Sequence, residues 1–255
     1  MDPWAILDKS RWEPLRRFVE RWYVEPLGET SLPFKKVEAV EAKLGCPIPL
    51  VVKEWYVLVG HRLDDANQDR AVRLEQQQLR DGRLHLWWEN QGNWSIEVAA
   101  GSSDEDLPVF VEGDTFAQET PATVTEALLG MVYSDTLVGA YSGCGAGPLG
   151  KLGLTVVGGY VDRLAPGVEP RVGVLPRLDV WPNPYFDKPA YGHEALVVRH
   201  NGAAWEWMAA TADAQAEAAR VLGLSEANEG FVLVLSLPEL DAAGAAAARA
   251  LMERG

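Results

Sequence analysis

Residues 83–98 read RLHLWWENQGNWSIEV, two runs of alternating apolar and polar side chains around a short polar connector containing glycine. Leu84, Leu86 and Trp88 alternate with His85, Trp87 and Glu89, and Trp94, Ile96 and Val98 alternate with Ser95 and Glu97. A period of two marks a strand with one buried face, so the segment predicts a β-hairpin turning at residues 90–93. The alternation sends Trp88 and Trp94 to the core and Trp87 to the opposite face. There Trp87 is either covered by a helix or available as an interface anchor.

Upstream the period changes to that of a helix. In residues 10–22, Leu15, Phe18, Val19 and Trp22 fall on one stripe with Arg16, Arg17 and Glu20 opposite, which predicts an amphipathic helix. Phe34, Val37, Val40 and Leu44 predict a second helix over 33–44 closed by Gly45, and Leu50, Val51, Trp55, Leu58 and Val59 a third ending at Gly60. The connector Cys46-Pro47-Ile48-Pro49 reads as extended. Residues 61–81, rich in Asp, Asn, Gln and Arg, read as an exposed loop with one helical turn near Val72 to Leu79.

Downstream, Pro108–Val111 predicts a further strand after the acidic loop Ser102–Asp106. Thr123 with Glu126 three residues on is a capping-box signature opening a helix through Val132. Beyond it the pattern is weaker. β elements are expected at Thr155–Val157, Arg171–Val174, Ala195–Arg199 and Trp205–Trp207, with Asn201-Gly202 as a turn, and the strand Phe231–Leu237 is flanked by Ala-rich helices at 211–222 and 238–254. Together these predict a mixed α/β (α+β) fold, a largely antiparallel sheet flanked by helices. No low-complexity linker divides the chain, so residues 1–255 are expected to form one elaborated domain, with 136–255 packed on its first part.

Composition narrows the function. The formal charge is −14, with 37 acidic side chains against 23 basic ones. Nucleic-acid binding needs clustered Lys and Arg, so a basic protein is the better-matched partner. The N-terminus lacks the basic-then-apolar layout of a secretory signal, and no apolar run approaches the ~20 residues that span a bilayer, so a cytoplasmic protein away from membranes is expected. Two cysteines, Cys46 and Cys144, supply neither a disulfide framework nor a CxxC motif and are expected to be buried reduced thiols.

Several stretches carry the letters of chemical motifs. Gly145-Ala-Gly-Pro-Leu-Gly150-Lys151 matches GxxxxGK, but Leu152 stands where a P-loop needs a Ser or Thr, and the β-prone, glycine-broken residues that follow do not read as the required helix. The Gly145/Gly147/Gly150 spacing fails as a dinucleotide fingerprint for the same reason. His61, His85, His193 and His200 lack metal-ligand spacing. Asp64, Asp65 and Asp69 lack the glycine and terminal Glu of a calcium loop. No GxSxG elbow is present, and nothing near Cys144 supplies a base. No enzyme, cofactor or metal is therefore expected.

The order of features over residues 33–133 resembles the SUKH superfamily, which takes in fungal cell-wall-assembly regulators and bacterial toxin-immunity proteins. The likeness rests on the helix ending Lys43-Leu-Gly45, the Pro47-Ile-Pro49 connector, the Lys53-Glu-Trp55-Tyr56 helix closing at Gly60, a polar loop, the strand running into Glu89-Asn-Gln-Gly92, a second strand, the Asp-rich loop with Leu107-Pro-Val109, and a closing helix. It places the family core at about residues 30–135, and the Gly/Pro-rich stretch 139–190 has no counterpart. The resemblance implies a SUKH-like fold with a C-terminal elaboration that binds a protein, commonly a toxin, and neutralises it by occlusion. Many such toxins are nucleases with basic surfaces, which the charge of this chain would complement. A regulatory scaffold binding an endogenous protein in cell-wall or stress signalling is the alternative. The expected contact residues are the acidic Asp64, Asp65, Asp69, Glu89, Asp104, Glu105 and Asp106, with Trp87 as the aromatic anchor.

Overall fold

The hairpin sits at the centre of an antiparallel sheet in the computed structural model, which describes residues 8–27, 32–63, 70–89, 91–102, 106–113, 116–141, 146–152, 156–161, 164, 169–175, 191–193, 195–200, 204–209, 211–224 and 231–235. Three helices precede it: α1 (Lys9–Trp22), α2 (Phe34–Leu44) and α3 (Leu50–Val59). α1 and α2 follow their apolar stripes, whereas α3 is buried from Val51 to Val59 on nearly every side and the expected core residue Leu50 is exposed. Leu15, Phe18, Val19 and Trp22 are buried on α1, while Arg16 and Arg17 pair with Glu13 and Arg16 also with Glu20 on its outer side. Gly45 takes the left-handed conformation, φ +71°, that closes α2. Gly60 is required for space instead, because a Cβ there would stand 2.5 Å from Leu32 and 2.6 Å from the Tyr56 carbonyl oxygen.

The first sheet runs β1 (Arg70–Ala71), β3 (Arg83–Trp88), β4 (Trp94–Ala99), β5 (Pro108–Gly113) and β6 (Phe116–Thr123), with β2 (Leu79–Arg80) also paired to β3. Every pairing is antiparallel. The stretch expected as an exposed loop is therefore corrected over its described part, although the helical turn expected near Val72 to Leu79 is present as a 3-10 turn over Leu74–Gln76. Its short strands edge the sheet, Leu74 and Gln77 are buried, and the Gln77 amide donates to the Tyr56 hydroxyl and, at 2.5 Å, to the His85 carbonyl. β6 was not anticipated; it lies at the end of the strand order, where Pro121, lacking an N–H, is tolerated.

α4 (Val124–Tyr141) opens on the capping box read from the sequence: Thr123 N–H donates to Glu126 at 2.9 Å and Glu126 N–H to Thr123 Oγ1 at 3.3 Å. The chain then forms the small hairpin β7 (Ala146–Gly147) and β8 (Gly150–Lys151) before a second antiparallel sheet. Its order is β10 (Tyr191–His193), β11 (Leu196–His200), β12 (Trp205–Ala209), β9 (Val156–Val161) and β13 (Phe231–Leu235). α5 (Ala212–Leu222) packs against it. Residues 171–174, expected as β, instead form a single 3-10 turn over Val172–Val174. The turn pair Asn201-Gly202 and the helix expected at 238–254 lie outside the described residues.

The two halves meet on α4. Val197 and Met208 project from the second sheet into the same buried cluster as α1, α3, α4 and the first sheet. Their neighbours Leu196, Val198, Trp207 and Ala209 face the other way, into a second cluster with Ala214, Ala218, Val221 and Leu222 of α5. Strands β11 and β12 are thus buried on both faces. On the α4-facing side their ladder carries a buried ion pair, with Arg199 Nη2 2.6 Å from Glu206 Oε2 across β11 and β12. The molecule is a mixed α+β fold of antiparallel sheets flanked by helices.

Candidate partner-binding face

The outer face of the first sheet is set by one irregularity. Leu84 pairs with Val98 and His85 with Glu97, but the register then jumps, so that Trp87 opposes Ile96 and Trp88 opposes Ser95, leaving Leu86 as a bulge. A bulge inserts one residue and reverses the sidedness of those after it. Trp87 therefore joins Leu84, Ile96 and Val98 in the core, with no exposed surface, and Trp88 emerges half-buried on the outer face. This corrects the strict alternation expected from the sequence: Trp87 is unavailable as a contact residue, and Trp88 occupies the position assigned to it. On its other side the Leu86 carbonyl accepts from Val72 N–H at 3.0 Å, continuing the pairing that holds β1 on the edge.

Register places Trp88, Ser95 and Glu112 in one cross-strand row and His85, Glu97 and Phe110 in the next. Glu97 is 1% exposed although it belongs to the outer face. Its Oε1 accepts from Ser95 Oγ at 3.2 Å, and its Oε2 lies 3.6 Å from Arg83 Nη1. His85 Nδ1 approaches Glu97 Oε1 to 3.2 Å without the alignment of a hydrogen bond, and its ring stacks on Trp88 with centroids 5.0 Å apart. Burial, followed by the neighbouring Glu112 carboxylate, pushes the Glu97 carboxyl above its usual range. Burial, aided by Arg80, pushes His85 below its own. The centre of the face is thus a sealed polar cluster shifted toward neutrality.

Half-buried groups surround this cluster: Trp88, Phe110, Arg83 and Glu112. The Arg83 guanidinium carbon lies 4.0 Å from the Phe110 ring centroid, a cation–π contact that orients both side chains. Trp, Arg and other aromatics are the residues that concentrate binding energy at protein interfaces. As chemistry the cluster has little reach. A carboxyl, an imidazole and a hydroxyl are together, but Glu97 and His85 are covered by their neighbours and present no reacting atom to a substrate.

The expected acidic contacts fare differently. Glu89 is half-buried, and its carboxylate accepts from the amides of Gln91 at 3.0 Å and Asn93 at 2.9 Å, so it builds the hairpin turn. Asp106 accepts from Thr125 N–H at 2.9 Å and so helps cap α4. Asp64, Asp65, Asp69, Asp104 and Glu105 lie outside the described residues. Cys46 is a half-buried free thiol where a buried one was expected, and Cys144 lies outside the described residues.

The GxxxxGK letters do not form a phosphate loop. Gly150 and Lys151 are in a strand, and Leu152 bridges to Tyr23, so no helix begins at the lysine. Among the described residues no group of three His, Cys, Asp or Glu could hold a metal ion, and no helix is long and apolar enough to cross a membrane. His193 is engaged within the fold, its Nε2 lying 3.0 Å from Glu217 of α5. No family model, no curated protein and no solved structure matches this chain.

Proposed function

We propose that this chain is a non-enzymatic protein-binding module of the immunity type, which occludes a basic toxin domain in the cytoplasm without engaging nucleic acid or membrane. One observation carries the reading: the half-buried Trp88, Phe110 and Arg83 stand together on the outer face of the first sheet, in a chain of net charge −14. The aromatic and guanidinium groups supply anchors of the hot-spot type, and the acidic surface would steer a basic partner toward them. The SUKH-like order of elements supports the same class.

Immobilised protein is challenged with candidate toxin domains and with lysate of its own source, at low and high salt. Retention of a basic toxin domain, with an on-rate that falls as salt rises, is the expected result. Trp88→Ala should weaken that complex about 30-fold, the loss of one anchor of roughly 2 kcal/mol. Retention that is indifferent to Trp88→Ala and to Arg83→Ala would reject this face. Specific retention of a non-toxic endogenous regulator would replace the immunity reading with the scaffold one.

A further inference from the structure

On another part of the molecule Leu149, Gly150 and Lys151 lie beside a buried cation. Arg62 follows α3 by one turn, its N–H donating to the Val59 carbonyl at 2.8 Å, and it is 8% exposed. Its Nε donates to the Leu149 carbonyl at 2.9 Å and its guanidinium carbon lies 5.6 Å from the Tyr23 ring centroid. Nη1 is buried and, among the described residues, has no hydrogen-bond partner. Arg62 lines a cavity of about 200 Å³ together with Val24, Glu25, His61, Leu149, Gly150 and Lys151. The wall is built closely: Val24 N–H donates to the Lys151 carbonyl at 3.1 Å, and a Cβ on Gly147 would fall 2.2 Å from the Tyr23 hydroxyl oxygen.

A buried guanidinium carrying an unsatisfied donor is costly unless an acceptor, preferably anionic, completes it. Glu25 also lines the cavity and its charge acts on Arg62, yet among the described residues it makes no ion pair within 4.0 Å with either Arg62 or Lys151, which leaves room for an incoming anion. Gly150 holds φ +113°, a backbone conformation that favours glycine, and a Cβ there would make only an ordinary van der Waals contact, 4.0 Å, with Arg62 Nη2. Overall acidity does not prevent anion binding here, because at physiological ionic strength distant surface charges are screened beyond roughly 8 Å. The volume lies below the ~300–1,000 Å³ of sites for drug-sized ligands, which favours a small group.

We infer that the cavity between Arg62 and Lys151 is a binding site for a small oxyanion of the phosphate class, either the free ion or the phosphate of a small monoester. Arg62 supplies a fixed fork of donors from within, and Lys151 a flexible point charge at the mouth. The glycine-rich stretch thus meets an anion without the helix that a P-loop uses.

Calorimetric titration of the full chain with inorganic phosphate at constant ionic strength tests this, with glycerol phosphate and acetate as comparison ligands. Saturable phosphate binding is expected. Lys151→Glu, an exposed change, should weaken it at least tenfold, and Glu25→Gln should tighten it severalfold by removing the opposing charge. Equal affinity for phosphate and glycerol phosphate identifies the free ion as sufficient; tighter glycerol phosphate identifies a monoester. No saturable heat, an affinity that neither variant moves, or acetate binding as tightly as phosphate would overturn the assignment.

Discussion

Two adjacent tryptophans have opposite fates. Trp87 is fully buried between helices and sheet, so Trp87→Ala should cost about 3–5 kcal/mol in chemical denaturation, whereas the half-buried Trp88→Ala should cost about 1 kcal/mol or less. Glu97 makes a prediction with a sign. Its folded pKa lies above its unfolded value, so its proton contributes stability in full below the ordinary glutamate range, and that contribution is lost as pH rises through the folded pKa. Glu97→Gln should therefore raise Tm at pH 8 relative to the parent and change it little at pH 4. A larger stabilisation at pH 4 than at pH 8 would refute the shift. Glu54 lies in a helix that the sequence marks only by its apolar residues, yet it is buried and accepts from Arg11 Nη1 at 2.6 Å, Trp12 Nε1 at 2.9 Å and the Asp8 amide at 3.1 Å. It fastens α1 to α3, and Glu54→Ala, which strands Arg11 and the indole N–H, should destabilise by about 3 kcal/mol.

The elements divide by how local their determinants are. Helices α1 to α3, the hairpin β3–β4 and the capping box of α4 were legible because periodicity, glycine closure and Thr123/Glu126 spacing act within a few residues. Thr123→Ala should lower stability by about 1 kcal/mol, read as a fall in Tm, with Asp106→Ala giving a similar loss because both side chains accept from first-turn amides of α4. The bulge at Leu86 was not legible, because the consecutive apolar Leu86, Trp87 and Trp88 interrupt the alternation without saying which pairing is skipped, and the skip exists only between strands. β6 was hidden for a related reason. FAQETPAT has no apolar period, and its strand character comes from pairing with β5.

For the molecule as a whole, α4 is the element common to both sheets. Met208, on the second sheet, belongs to the cluster built around the helices of the first, so Met208→Ala should cost about 2–5 kcal/mol and should loosen both halves together. Thermal unfolding followed by tryptophan fluorescence and by far-UV circular dichroism should give coincident transitions for the parent. Separate transitions would show that the halves unfold independently despite sharing α4.

The sequence alone determined the α+β class, the order of the N-terminal helices, the hairpin and the cap of α4, because each depends on contacts between near neighbours along the chain. Tertiary structure alone decided which tryptophan faces outward, why Glu54 and Glu97 are buried, and that Arg62 meets Gly150 and Lys151 at a cavity. Those outcomes depend on residues tens of positions apart being brought within a few ångströms, and neither a periodicity nor a local motif records where such partners will meet.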